Sequence, residues 1–237
     1  MSGAGVVVAL AAEARPLAGR RLRPGESVQV GDGTVCLAGM GRDRARAAAQ
    51  RLVAGGATGL VSWGSGGGLD PELAPGTVVV AEAVVAVDGR AWPVDAGWRG
   101  RLVEGVADHL PIAGGRVAEA TTVLGVAEKA TLFRATGASL CDMESVAVAQ
   151  VAAAAHLPFL AVRAVADPAG AAVAAGAVAA VDSDGRLRPA GVARLLLHPH
   201  LWPAVAATGR SFGRAVAGLD RLAAIASGPL LDPGGVA

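Results

Sequence analysis

The stretch that most constrains the fold is residues 139–170, SLCDMESVAVAQVAAAAHLPFLAVRAVADPAG. A polar knot, Asp142-Met143-Glu144-Ser145, precedes an apolar, Ala-rich run over residues 146–155. Asp142 or Ser145 stands where an N-cap belongs, with acidic charge in the first turn, so the pattern predicts a helix start. Pro158 disfavours α geometry in Leu157 and ends that helix. Phe159-Leu160-Ala161-Val162 then reads as a buried strand, with Arg163 and Asp167 at its C-terminal end. Open α/β sheets place their ligands at such ends. A helix start and a strand end can share one crevice, which makes Glu144 and Asp167 candidate partners. The plainer reading is that Glu144 complements the helix dipole and Asp167 caps the next element.

The rest of the chain extends this pattern. Residues 5–10, GVVVAL, read as a fully buried strand, and residues 11–16 as a loop carrying Glu13. Strands over residues 26–30 and 34–38, joined at Gly31-Asp32-Gly33, predict a hairpin and hence a mixed sheet. Gly39-Met40-Gly41 lies between the third strand and a helix over residues 42–55. Backbone amides in such a turn suit an anion, although Arg44 stands where a dinucleotide fingerprint needs its third Gly.

A strand over residues 59–63 runs into Gly64-Ser65-Gly66-Gly67-Gly68, read as a Gly-rich turn open to a ligand, with Ser65 as a hydroxyl donor. No GK[ST] follows, which excludes a P-loop. Residues 77–87 read as one long strand or two abutting ones. Residues 88–111 are weakly patterned, with Trp92 and Trp98 in a loop and a helix over 101–109. A strand over 117–120 and a helix over 126–136 follow. Residues 169–181 read as a helix or a lid, with helices over 190–197 and 203–226 and a disordered tail from Ser227. Alternating strands and helices imply a three-layer α/β/α fold with a mixed central sheet, one domain over residues 1–226.

Composition narrows the function. Of 237 residues, 53% are hydrophobic, with no Tyr and three Phe, so one large core must pack through small side chains. The net charge of +1 and the lack of a Lys/Arg tract argue against a nucleic-acid partner. Cys36 and Cys141 make no CxxC pair, so a reducing cytoplasm is the default compartment. No basic segment precedes residues 6–10, which reads against a signal peptide, and no stretch makes a span of about 20 apolar residues. His198 and His200 have no acidic or Cys neighbours to complete a metal site, and neither metal nor cofactor is expected. Leu195, Leu196, Leu197, Leu201, Trp202 and Phe212 are packing residues or, on a bolder reading, an apolar surface for a lipid or a membrane.

GMGRDRARAAA, SWGSGGGLDPELAPGTVVVAE, LCDMESVAVA and LPFLAVRAVADPAG are similar, in order and spacing, to the purine nucleoside phosphorylase and methylthioadenosine/S-adenosylhomocysteine nucleosidase superfamily. The resemblance covers residues 5 to about 181; each motif is weak alone, and the ordered set is specific. EAR after the first strand, SWGSGGGLDPEL and the VARLLLHP extension most resemble the hopanoid-associated phosphorylases. That subfamily implies release of adenine from adenosylhopane in hopanoid biosynthesis, by a self-associating enzyme.

By position, the resemblance implies that Met143 packs on the ribose, Glu144 accepts its hydroxyls, and Asp167 protonates purine N7. It places Glu13 where the nucleosidases activate water, and Ser65, Gly66 and Gly67 beside the ribose. Val123 and Leu124 stand where many relatives carry the aromatic that stacks on the base. A phosphorylase needs anion-binding groups; Arg15, Arg42 and Gly41 are the candidates. Hydrolysis and phosphorolysis both stay open here. So do a methylthioadenosine-type nucleosidase and a nucleoside-binding protein without turnover.

Overall fold

β1 (Ala4–Val8) is buried at all five positions. It leads at once into α1 (Ala11–Ala18), where the sequence predicts a loop. Pro16 carries that loop signal, and this short helix accommodates it. β2 (Ser27–Val30) and β3 (Gly33–Leu37) form the expected antiparallel hairpin. α2 (Arg42–Ala54) starts at Gly41, whose φ of 102° suits only glycine. The computed structural model describes residues 3–174, 188 and 197–234.

β4 (Gly59–Gly68) corrects the reading of residues 64–68 as a turn: the strand continues through all of them. β5 (Val78–Val80) and β6 (Ala83–Val85) divide the predicted long strand. β7 (Ala91–Pro93) and α3 (Ala96–Glu104) occupy a region read as loop around Trp92 and Trp98. The Asp95 carboxylate caps α3 by accepting from the Trp98 amide at 2.7 Å. β8 (Ile112–Ala113), β9 (Arg116–Glu119) and α4 (Val126–Thr136) follow. β10 (Leu140–Asp142) is a short strand that the sequence does not announce. α5 (Ser145–Ala154) and β11 (Phe159–Asp167) then form the unit predicted from residues 139–170, with β11 longer than expected.

The helix predicted over residues 190–197 and most of segment 169–181 fall outside the described residues. α6 (Trp202–Leu231) runs well past Ser227. Leu230 and Leu231 are buried, and the Trp98 indole donates to the Pro229 carbonyl at 2.8 Å. The expected disordered tail is therefore packed as far as residue 234.

The described strands form one mixed sheet of eleven. β1 lies between β3 and β4, parallel to both. β11 runs parallel to β4 along almost its whole length, and β10 pairs antiparallel with the last residues of β4. Pairing on both edges lets β4 cross its glycines without side-chain support. α2 and α5 pack on each other and against β1 and β4; α6, with α1 and α3, packs against β11 and β4. This is the predicted α/β/α arrangement around a mixed sheet. Among the described residues no helix is long and apolar enough to cross a membrane.

Candidate active site

The site grows from the paired C-terminal halves of β4 and β11, where Arg163 lies beside Gly64 and Asp167 beside Gly67. A Cβ at Gly64 would fall 2.6 Å from Arg163 Nη1 and 2.8 Å from Glu13 Oε2. Glycine there makes room for two charged side chains. Glu13 is buried on α1, and its own carbonyl accepts from the buried Trp63 indole at 2.9 Å. Its Oε1 accepts from the Ser65 amide at 2.9 Å and the Ser65 hydroxyl at 2.5 Å, and its Oε2 from the Leu10 amide at 3.2 Å. Burial pushes the Glu13 carboxyl above its ordinary range, against the Ser65 bonds and the Arg163 charge.

Below lies a buried polar knot. Asp142 accepts from Arg163 Nε, the Ser145 hydroxyl and the amides of Glu144 and Ser145. Arg163 Nη2 also donates to the Ser62 and Ser145 hydroxyls, at 2.5 and 3.0 Å. Asp142 thus caps α5 from two residues before its N-cap, Glu144. That leaves the Glu144 carboxylate free of capping, and it accepts from the Gly41 amide at 2.7 Å. Burial raises the Glu144 carboxyl to about 7, with the Asp142 charge adding to it and Arg163 and the Gly41 amide opposing. Met143 is half-buried beside it.

Asp167 ends β11 next to Gly67, where an added Cβ would lie 3.4 Å from its Oδ2. Its carboxylate pairs with Lys129 of α4. Burial raises the Asp167 carboxyl and the Lys129 charge pulls it back. Gly66 faces the Cys141 carbonyl, 2.6 Å from where a Cβ would stand. Cys141 itself is pushed up to about 12, first by burial, so its thiol is inert. Leu124 is half-buried in a small cluster with Leu69 and Cys141, while Val123 is 51% exposed.

Two of the three expected phosphate contacts are used otherwise, and the third points away. Gly41 gives its amide to Glu144. Arg42 pairs with buried Glu119 and also donates to Gln150 at 3.2 Å. Arg15 is exposed, and two residues along a helix from Glu13 is nearly the opposite face. The Gly39–Gly41 turn does hold an anion, and that anion is the protein's own carboxylate.

The structure gathers Glu13, Glu144 and Ser65 around β4, with Asp167 beside Gly67, two residues along the strand from Ser65. The sequence reading gives Asp142 a capping role only and Arg163 none, and it does not single out Ser62 or Lys129. One signal was present: Lys129 is the only lysine in a chain with 21 Lys and Arg combined.

Residues 11–197 match the phosphorylase superfamily model. The futalosine hydrolase of Streptomyces coelicolor is 38% identical over 127 residues, 47% of this chain. The chain spans about half the length of that curated relative, 54% of it. Among solved structures, the methylthioadenosine/S-adenosylhomocysteine nucleosidase of Neisseria meningitidis, in complex with methylthio-immucillin-A, superposes with a TM-score of 0.68 at 17% identity, covering 94% of this chain and 96% of that one. The futalosine hydrolase of Helicobacter pylori gives 0.66 at 16% identity, covering 92% and 96%. These likenesses carry the fold.

Proposed function

The chain belongs to the phosphorylase superfamily, and from that premise we propose that it hydrolyses the N-glycosidic bond of a purine nucleoside, with water as the nucleophile. The observation that carries this reading is the charge at the site. Glu13 and Glu144 are both buried and close enough for the Glu13 charge to act on Glu144, and two nearby cations are committed: Arg163 to Asp142 and Arg42 to Glu119. Among the described residues, the cations that adjoin these carboxylates already have partners, so a phosphate dianion would meet negative charge without a new counter-charge. A water molecule suits the same place, with Glu13 to take its proton.

Cleavage develops positive charge on the sugar and negative charge on the base. Glu144 answers the first by gripping ribose hydroxyls, an electrostatic contribution fixed before reaction. Asp167 answers the second as a general acid at the purine, a role typically worth ~10²–10⁴-fold. Ser65 and Arg163 hold Glu13 in place. Met143, Gly66 and Gly67 line the ribose side, and Val123 and Leu124 the base side.

The relationship to futalosine hydrolase makes a futalosine-type nucleoside the first substrate to try. A second reading, adenosylhopane, is favoured by one observation: Leu197 is 78% and Trp202 49% exposed. Those side chains offer an apolar surface that a lipid-bearing nucleoside could use.

The test is base release from futalosine, methylthioadenosine, adenosine and adenosylhopane, each with and without phosphate, in water enriched in oxygen-18. Phosphate-independent release with label in the sugar supports the reading. Phosphate-dependent release of sugar phosphate overturns hydrolysis. No release from any nucleoside favours a binding protein.

A further inference from the structure

Lys129 is 1% exposed in its side chain, and no step above uses it. Its ammonium is enclosed by the chain that leaves β11. It pairs with the Asp167 carboxylate and donates to the carbonyls of Pro168 at 3.0 Å and Ala171 at 2.8 Å. The Asp167 carbonyl lies further off, at 3.4 Å. Three ammonium protons thus meet one carboxylate and the peptide oxygens of one short turn. An arginine fork could not point in all these directions at once, whereas a compact, rotatable ammonium can. The other cationic side chains of this protein are all arginines.

We propose that Lys129 is a positioning residue for the base-side acid: it fixes the Asp167 carboxyl over Gly67, anchors the 167–171 turn to α4, and sets the pH range in which Asp167 carries its proton. This rests on the reading of Asp167 as general acid. The sign follows from the charges. A cation beside the carboxyl favours its ionised form, so Lys129 brings the loss of the acid proton to lower pH. An acid must be protonated to act, so activity falls as pH rises through the Asp167 ionisation. Removing the ammonium leaves the carboxyl buried without its cation, and the proton stays on to higher pH.

The experiment is the pH profile of kcat/KM for the wild type and Lys129→Met, using whichever nucleoside the wild type cleaves. The expected result is a kcat lowered by ~10-fold or more, as acid catalysis loses its alignment, with the basic limb displaced to higher pH. Lys129→Arg, which restores charge without the geometry, should return the limb towards its wild-type position while kcat stays low. A basic limb unmoved in Lys129→Met, whether kcat falls or not, would mean a structural role only and overturns the proposal.

A second measurement does not depend on activity or on a Lys129 variant, and its first arm uses the wild type alone. Lysine labelled with nitrogen-15 at Nζ gives a single side-chain resonance in this protein. That resonance should inflect with the Asp167 titration in the wild type and lose the inflection in Asp167→Asn. An inflection that survives in Asp167→Asn, or is missing in the wild type, overturns the coupling. A wild type that cleaves no nucleoside removes the proposed function and leaves this second result readable.

Discussion

The amide of Gly41 donates to the Glu144 carboxylate at 2.7 Å, joining two residues 103 positions apart at the start of two different helices. A single neutral donor cannot offset burial beside Asp142, which is why the Glu144 carboxyl is raised from 4.5 to about 7. Gripping ribose hydroxyls needs the ionised form, so kcat/KM should climb as pH rises through about 7. Glu144→Gln should lose ~10²-fold or more in kcat, as expected for a charge aimed at the transition state. A profile flat from pH 5 to 8 would sink this assignment.

The same shift has a cost in stability. The folded state holds the Glu144 proton more tightly than the unfolded chain does, so stability falls as pH rises between 4.5 and about 7. Glu144→Gln cannot ionise and should remove this dependence. Its Tm at pH 8 should exceed that of the wild type by ~3 °C or more, the effect of roughly 1 kcal/mol in a chain of this size. Scanning calorimetry of both proteins at pH 5 and pH 8 decides it.

Gly64→Ala tests why β4 is so rich in glycine. The new methyl would stand 2.6 Å from Arg163 Nη1 and 2.8 Å from Glu13 Oε2, so both charged groups must shift. Displacing a catalytic group by about 1 Å can cost ~10²-fold in rate. Activity should therefore fall by that order while the protein remains folded. Retention of wild-type kcat would show that Glu13 tolerates displacement and so does not align the nucleophile.

These residues also show what could be read from sequence and what could not. β1, the hairpin of β2 and β3, α2, α4 and the α5–β11 unit follow from local signals: β-branched runs, a glycine turn, a cap and Pro158. Glu13, Glu144 and Asp167 stand out in the sequence as candidates because they lie near element ends. The glycines of 64–68 misled, because a glycine run is the same string whether it bends the chain or clears space beside a strand. Gly64 is explained only by Arg163, 99 residues later, and by Glu13, 51 residues earlier. Arg42 looked free for phosphate because its partner, Glu119, lies in another strand. Pairings at such sequence distances leave no periodicity.

Arg163→Met should be the most destabilising single change in the site. It leaves Asp142 buried with one hydroxyl and two amide partners but no cation, and Asp142 and Arg163 side chains are 2% and 1% exposed. Breaking one side of a buried pair costs ~3–5 kcal/mol. The double variant Arg163→Met with Asp142→Asn should recover part of that loss, since no charge then remains unpaired. Urea unfolding of the two proteins gives the comparison; equal midpoints would mean the pair contributes little beyond packing.

The end of α6 gives a prediction away from the chemistry. Leu231 packs against the start of β3, where a Cβ on Gly33 would come within 2.9 Å of its Cδ2, and Leu230 is fully buried. The carbonyl of Pro229, the residue before Leu230, accepts from the Trp98 indole of α3. Leu231→Ala should cost ~2–5 kcal/mol, the range for a truncated core leucine. Removing everything after Ala226 should cost more, since it also strips Trp98 of its acceptor and leaves a buried indole N–H unpaired. Because these contacts hold the sheet's far strands and not Glu13, Glu144 or Asp167, kcat of Leu231→Ala should stay within about two-fold of wild type while its unfolding midpoint drops. A truncated protein as stable as the full chain would return the last residues to the disordered tail that their Gly and Pro content suggests.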